Sequence, residues 1–523
     1  MFSERFQFTL SGLMLLVAVA AGYAWLIGHP EIGAPIVLIG MPLLFALYVV
    51  CVALPRAISQ EHPPGLFSRW FWWQPTEPHA EPRSDPAAPA AFAAAPTPIE
   101  SFDRFSTETV DPAGAYQFAN ETSPRQHEAS RIMTSTNGIL TADLLGKVTV
   151  DAIEVTIVKL PCKSTFHLAG GDFSQQGQPT PRALVKVVGS NGVVGWGEVT
   201  PCPTWCYETS ETITSTIRKY LAPAVVGMPA WNFDAIARKM DRVIQPGATI
   251  GQPLAKSGID VAIHDMLART LGVPLYVLLG GKRLDRIQLS YIVSAADADE
   301  AAAQTRRGLE LGYAAFKIKV GMHGEQRDFE IVAAVYATAP KGTFLWVDAN
   351  QGYGLDNAIR QAKRMATLGV AAFEQPLKGS RPSEFRRLVE LGAVPIAIDE
   401  SLCSPTDLIE YIKAGAVDLP VAKIQRCGGL WWSRQFCHIA ESAGLRLMGS
   451  GLCETDLGLA TGVHLFAAFG IDLPCDLNGR QFVESSYLGQ TVHINGGFAT
   501  VPDSPGIGVE VDESLVRQFD AGI

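Results

Sequence analysis

The chain carries no block of lysines and arginines, no zinc-type cysteine spacing and no lysine-containing phosphate loop. With a net charge of −10, the first absence argues against nucleic acid as a partner. The nine cysteines are scattered, and the closest pair, Cys202 and Cys206, has no second pair to complete four metal ligands. An odd number with no framework suits free thiols in a reducing compartment. Gly192, Gly195 and Gly197 fall in a hairpin-like stretch rather than between a strand and a helix, which removes the nucleotide-loop reading. What remains is 523 residues, 47% of them hydrophobic, enough for two or three domains with a large core.

Charge is also missing from two early runs. Residues 10–27 and 35–54 contain no Asp, Glu, Lys or Arg, and each has about the ~20-residue span that crosses a bilayer core. The short link between them predicts a transmembrane helical hairpin over residues 1–73, with the lipid bilayer as a partner. Arg5 precedes the first run, Arg56 and Arg69 follow the second, and the link has neither Lys nor Arg. That bias puts both ends, and the domains that follow, in the cytoplasm, with Trp70, Trp72 and Trp73 as an interfacial anchor. A cleavable signal peptide and a mis-assigned start are the competing readings. Residues 74–140 begin with seven prolines among many alanines between Gln74 and Pro98, and read as a disordered linker.

From residue 147 the pattern turns strand-like, with a hairpin at Ser190 to Gly192 followed by helical stretches near 208–221, 232–243 and 253–271. This predicts an α+β capping domain over 147–272. From 273 to 476, strand and helix patterns alternate. Strands are expected near 288–294, 314–320, 343–349, 370–375, 395–400, 418–424, 445–450 and 472–476. Eight such strands favour an α/β barrel of the TIM type over an open sheet. Residues 477–523 show no further repeat and are expected to return to the cap.

Five residues keep the pace of that repeat. Lys319, Asp348, Glu374, Asp399 and Lys423 follow one another at gaps of 29, 26, 25 and 24, each at the end of an apolar run. A parallel barrel gathers strand ends at one mouth. Three carboxylates held together repel unless a cation neutralises them, and oxygen-only ligands favour Mg²⁺, or Mn²⁺, over zinc. Lys319 and Lys423 flank the three carboxylates as an acid and a base. Lys317 lies two residues before Lys319, on the same strand face, where its charge should lower the proton affinity of Lys319.

The chain from about Val148 to Val516 resembles the enolase superfamily, specifically its muconate lactonizing enzyme subgroup. The matching stretches are LLGGK (278–282), KIKVG (317–321), VDANQGY (347–353), FEQP (373–376), AIDES (397–401), KIQRCGG (423–429), SGLCETDLG (450–458) and SPGIGVEVD (504–512). The resemblance implies a modified (β/α)7β barrel under an α+β cap, with Mg²⁺ bound by Asp348, Glu374 and Asp399. It also implies Lys319 and Lys423 as general acid/base residues on opposite faces, and a homo-oligomer. The mandelate racemase branch would carry histidine at the KIK and KIQ positions, so lysine at both disfavours it. The hairpin and linker lie outside the resemblance.

Supporting positions are Asn350, to orient a ligand or water or else to form a turn, and Glu400, to hold Lys423 or Asp399 or else to cap a helix. Glu454 matches the seventh-strand Glu of the family and, with Cys453, is a candidate for substrate contact. Two cap loops, 165–176 and 200–207, are expected to set specificity. Their Phe166, Phe173, Trp205 and Tyr207 point to an apolar or ring-bearing part of the substrate. Neither loop has a basic cluster, which counts against diacids such as muconate. The expected substrate is a small carboxylate. The expected activity is a racemase, epimerase or cycloisomerase of an amino-acid-like carboxylate, acting through an enediolate. The alternatives are a dehydratase of a β-hydroxy carboxylate and an inactive, membrane-tethered binding protein.

Overall fold

The computed structural model describes residues 146–247, 250–379, 381–483 and 487–522, all within one compact unit. The expected hairpin and linker lie outside these residues. Among the described residues, no helix is long and apolar enough to cross a membrane.

The cap is built on a three-stranded antiparallel sheet of β1 (Val150–Pro161), β4 (Pro179–Gly189) and β5 (Val194–Val199). Between β1 and β4 the short strands β2 (Phe166–Leu168) and β3 (Gly171–Ser174) pair as a flap. The β4–β5 turn passes through Gly192, whose φ of +78° explains a glycine there. Gly195 and Gly197 have a packing role: a Cβ on either would sit 2.2 Å from a carbonyl oxygen of the helix Pro253–Leu271. That helix is buried along residues 253–268, between the cap sheet and the barrel, so its sequence shows little amphipathic pattern.

Strand β6 (Arg286–Gln288) leads into a parallel sheet of seven strands in consecutive order. They are β7 (Tyr291–Val293), β8 (Ala315–Lys319), β9 (Phe344–Asp348), β10 (Ala372–Glu374), β11 (Ile396–Ile398), β12 (Leu419–Ala422) and β13 (Met448–Gly449). A helix follows each of them. The segment Cys475–Asp476 bridges to Ser450 beyond β13 and to Leu289 ahead of β7, so both edges of the sheet meet it. Its backbone bonds are Cys475 N to Gln288 O at 2.8 Å and Asp476 N to Gly449 O at 2.9 Å. The ladders are shorter than the apolar runs that predicted them.

Alternation sorts the side chains. Phe316, Ile318, Leu345 and Val347 enter the core shared with the outer helices. Trp346, Ala372, Ala397, Val421 and Met448 form a separate cluster on the other face of the sheet. Lys317 and Lys319 alternate with Ile318 and so share that inner face, with Trp346 beneath them. After Asp476 the chain runs back to the cap, where Glu513 pairs with Lys186 at 2.7 Å and Ala521 N donates to Ile157 O.

Candidate active site

Strand register assembles the site. It sets Lys319 beside Asp348 and Asp348 beside Glu374, and Asp399 and Lys423 follow at the ends of the next two strands. All five residues, with Lys317, are at most 4% exposed. Just past the strand ends, Asn350, Gln351 and Gln375 have φ of +39°, +69° and +35°. Non-glycine residues in this left-handed region are rare and gather where a site requires them. Gln375 shows the use: its side-chain oxygen accepts the backbone N–H of Asp399 at 3.1 Å.

The two outer lysines have parallel but unlike settings. Lys319 Nζ donates to Asp348 Oδ2 at 2.7 Å and to Asn350 Oδ1 at 2.9 Å, and lies 5.2 Å from the Phe166 ring of the flap. Lys423 Nζ donates to Asp399 Oδ2 and lies 4.5 Å from the Trp205 ring of the second cap loop. Burial disfavours its charge and is the largest single influence, yet Asp399 and Glu374 together raise Lys423 above the ordinary lysine value.

Lys317 is a clamp beneath them. Its Nζ lies 3.0 Å from Asp348, 3.1 Å from Glu374 and 2.7 Å from Asp476, over the Trp346 ring. Burial opposes its charge, but these carboxylates prevail and hold it well above its ordinary value. Glu374 also accepts from Trp346 Nε1 at 2.6 Å. Burial and the neighbouring Asp348 push the Glu374 carboxyl well up, so the cations already present do not compensate it.

In this structure the carboxylates of Asp348, Glu374 and Asp399 reach toward lysines and Arg426. Among the described residues no three potential metal ligands converge on one point. The donor chemistry nevertheless fits a hard divalent cation: three oxygen ligands on adjacent strand ends, one of them uncompensated.

The supporting residues divide. Asn350 donates through Nδ2 to Glu400 Oε1 at 3.0 Å, and its backbone N–H donates to Asp348 Oδ1 at 2.9 Å. Glu400 therefore connects to the Lys319 side through Asn350, rather than bonding to Lys423 or Asp399. Burial, with Asp399 and Asp348 nearby, pushes its carboxyl up to about 7. Trp205 and Cys453 line the inner chamber. Glu454 does not. A left-handed turn at Cys453, φ +55°, sends the next side chain away, and Glu454 accepts from Gln425 at 2.9 Å and from Leu452 N at 2.7 Å. Tyr207 lines neither chamber, and its hydroxyl accepts the backbone N–H of Gln252.

Three site residues escape sequence reasoning. Asp476 repeats the apolar-run-then-acid signal of the other carboxylates, at the end of the eighth expected strand. Arg426 lies one helical turn past Lys423 and pairs with Asp399 in the interior. Trp346 looks like an ordinary strand residue. Under the flaps the inner chamber holds only about 30 Å³, while an outer one beside it holds about 370 Å³, and Leu168, Trp205 and Asn350 line both.

Residues 152–280 match the mandelate racemase/muconate lactonizing enzyme N-terminal domain, and residues 299–515 match the enolase C-terminal domain-like family. A chloromuconate cycloisomerase from Pseudomonas sp. (strain P51) is 30% identical over 379 residues, which cover 71% of this chain and 98% of the relative. An N-succinyl-L-Arg/Lys racemase from Bacillus cereus is 26% identical, over 71% of this chain and 97% of the relative. The crystal structure of 2-chloromuconate cycloisomerase from Rhodococcus opacus 1CP superposes with a TM-score of 0.67 at 28% identity, covering 71% of this chain and 99% of that one. With this fold, these strand-end residues and relatives aligned over nearly their whole length, the chain belongs to the mandelate racemase/muconate lactonizing enzyme family of the enolase superfamily and is an isomerase of that superfamily.

Proposed function

We propose that this enzyme removes the proton α to a substrate carboxylate in a Mg²⁺-dependent isomerisation, as a racemase, epimerase or cycloisomerase of an amino-acid-like carboxylate. The observation that carries the reading is a lysine at each flank of the three carboxylates, both buried and each beneath a ring from the cap. Relatives that are cycloisomerases and a racemase support the same class.

An α proton beside a carboxylate is very weakly acidic, so its removal requires positive charge where the enediolate develops. Mg²⁺ held by Asp348, Glu374 and Asp399 would supply part of that charge. Lys317 supplies more from below, fixed by Asp348, Glu374 and Asp476. Lys319 and Lys423 then act on opposite faces, one taking the proton at its Nζ and the other donating. Return of a proton to the opposite face gives epimerisation. Expulsion of a ring carboxylate from the β carbon opens a lactone to an alkene, and the opposite direction, carboxylate addition to the alkene with protonation at the α carbon, is cycloisomerisation. The rings of Phe166 and Trp205 exclude water from both amines and favour an apolar or planar substituent next to the reacting carbon.

The test is incubation with Mg²⁺ in D₂O of both enantiomers of N-succinyl-lysine, of muconolactone, and of β-hydroxy carboxylates. Recovered substrate deuterated at Cα supports an isomerase. An alkene or keto product from a β-hydroxy acid would instead make it a dehydratase. Lys319→Ala and Lys423→Ala variants that both keep full turnover would defeat the mechanism, and failure to bind Mg²⁺ by calorimetry would favour an inactive binding protein.

We also propose that the runs at 10–27 and 35–54 anchor a homo-oligomeric enzyme to a membrane, with its catalytic domain in the cytoplasm. The support is their length, their lack of charge and the placement of Arg5, Arg56 and Arg69. A full-length chain that stays in the soluble fraction, or a fragment starting near Thr141 that runs as a monomer, would remove the corresponding half of this reading.

A further inference from the structure

A cavity of about 570 Å³ lies outside both catalytic chambers and shares no lining residue with them. That volume is typical of small-molecule sites. It is bounded by the segment entering the flap, the end of β7, the helix Ala298–Glu310 and the turn Gly479–Phe482.

Its wall is rich in unused donors. Tyr291 and Tyr313 meet edge to face at 5.4 Å, and neither hydroxyl has a hydrogen-bond partner among the described residues. Arg307 engages Glu310 through Nη1 alone, at 3.2 Å, so Nε and Nη2 remain. Arg480 engages Asp456 and the Val492 carbonyl through Nε and Nη2, so Nη1 remains. No Asp or Glu is among the described lining residues, and Leu311 and Ile494 form an apolar side. Guanidinium edges and phenols converging beside an apolar wall match an oxyanion carried on a hydrocarbon body.

The same lining holds the flap. Ser294 Oγ accepts from His167 N at 3.0 Å and donates to His167 O at 3.2 Å, tying β2 to the end of β7. Phe482 stacks on Phe166 with centroids 4.4 Å apart and planes 15° apart. Phe166 in turn covers Lys319. With the flap in this position the inner chamber of about 30 Å³ has room for little more than one or two waters, so a substrate must lift it.

We propose that this cavity is a second binding site, taking an organic oxyanion (a carboxylate or a phosphate ester), and that its occupancy holds the flap down over Lys319. The proposal stands on binding and flap motion, and so does not depend on the identity of the substrate.

The experiment uses the full chain with Mg²⁺, titrated separately with phenyl phosphate and phenylacetate by calorimetry. Amide hydrogen exchange is followed over residues 164–176. One saturable site is expected, with flap exchange slowed about tenfold at ten times Kd. The tighter of the two probes identifies the oxyanion. An Arg307→Gln/Tyr313→Phe variant should lose about tenfold in affinity or more, with Mg²⁺ binding unchanged. Arg307→Gln alone, on an exposed helix face, serves if the double variant does not fold. The proposal is overturned by no saturable binding, by binding that survives the substitutions and therefore belongs to the catalytic chamber, or by flap exchange indifferent to bound ligand.

Discussion

Lys319 and Lys423 face the same three carboxylates from unlike surroundings. Each donates to one strand-end aspartate from the barrel and lies beneath one aromatic ring from the cap. On the Lys319 side, a neutral amide, Asn350, passes the contact on to Glu400. On the Lys423 side, Asp399 is shared with a buried guanidinium, Arg426. The barrel thus makes the two amines alike, and their neighbours make them different. The rings come from separate cap loops, but Phe166 and Trp205 pack into one apolar cluster and Thr204 Oγ1 donates to the Asp172 carbonyl of the flap, so whether the two coverings move apart is open to test.

The largest way to break this comparison is to remove either amine. Lys319→Ala and Lys423→Ala should each lower kcat by about 10²–10⁴, the usual scale of general acid–base catalysis. In D₂O each should silence exchange from one enantiomer more than from the other. Equal loss on both faces in both variants would mean that the lysines do not divide the work by face.

Arg426 tests the asymmetry next. Arg426→Met leaves Asp399 with Lys423 alone and should cost about 3–5 kcal/mol in urea denaturation, the price of an under-compensated buried charge. A loss below about 1 kcal/mol would mean that Lys423 compensates Asp399 by itself.

A smaller effect concerns Glu454, behind the Lys423 side, whose carboxyl burial pushes up to about 7. A carboxyl raised in the native state binds its proton more tightly there than in the unfolded chain. Its stabilising contribution is therefore complete below about pH 4.5, and is lost as pH rises toward and through 7. The span is about 3 kcal/mol at most. Urea midpoints measured from pH 4.5 to 8 should fall in the wild type and fall less steeply in Glu454→Gln, the remaining slope coming from Glu208 and Glu400, whose carboxyls burial also pushes up to about 7. Parallel curves would refute the assignment.

The smallest effects sharpen the comparison. Phe166→Leu and Trp205→Leu each remove one ring from above a lysine, worth about 0.5–2 kcal/mol. Each should shift exchange rates by several-fold, on its own face only. Matched changes on both faces in either variant would mean that the two loops act as a single lid.

Much of the barrel was readable because strand-end chemistry repeats with the fold's own period. Lys319, Asp348, Glu374, Asp399 and Lys423 each close an apolar run, and parallel register then leaves few places for them to go. Asp476 closes the expected strand at 472–476 with the same signal, but it stands a whole strand–helix repeat beyond the run of five, and in the fold its segment forms only isolated bridges. Glu454 and Tyr207 went the other way. Each stands in a stretch that contributes to the site, but the turn at Cys453 and the bond to Gln252 direct those two side chains elsewhere. Single-residue backbone turns leave almost no trace in hydrophobic periodicity.

By itself the sequence determined the α/β class, the lysines and carboxylates that meet at the strand ends, and lysine at both flanks of them, because strand period and residue type are local properties. Only the tertiary structure decided that Lys317 clamps three carboxylates, that Glu400 serves Lys319 through Asn350, and that Phe166 and Trp205 cover one amine each. Those pairings join residues far apart in the chain. Their geometry follows from how the cap packs on the barrel, which no local pattern encodes.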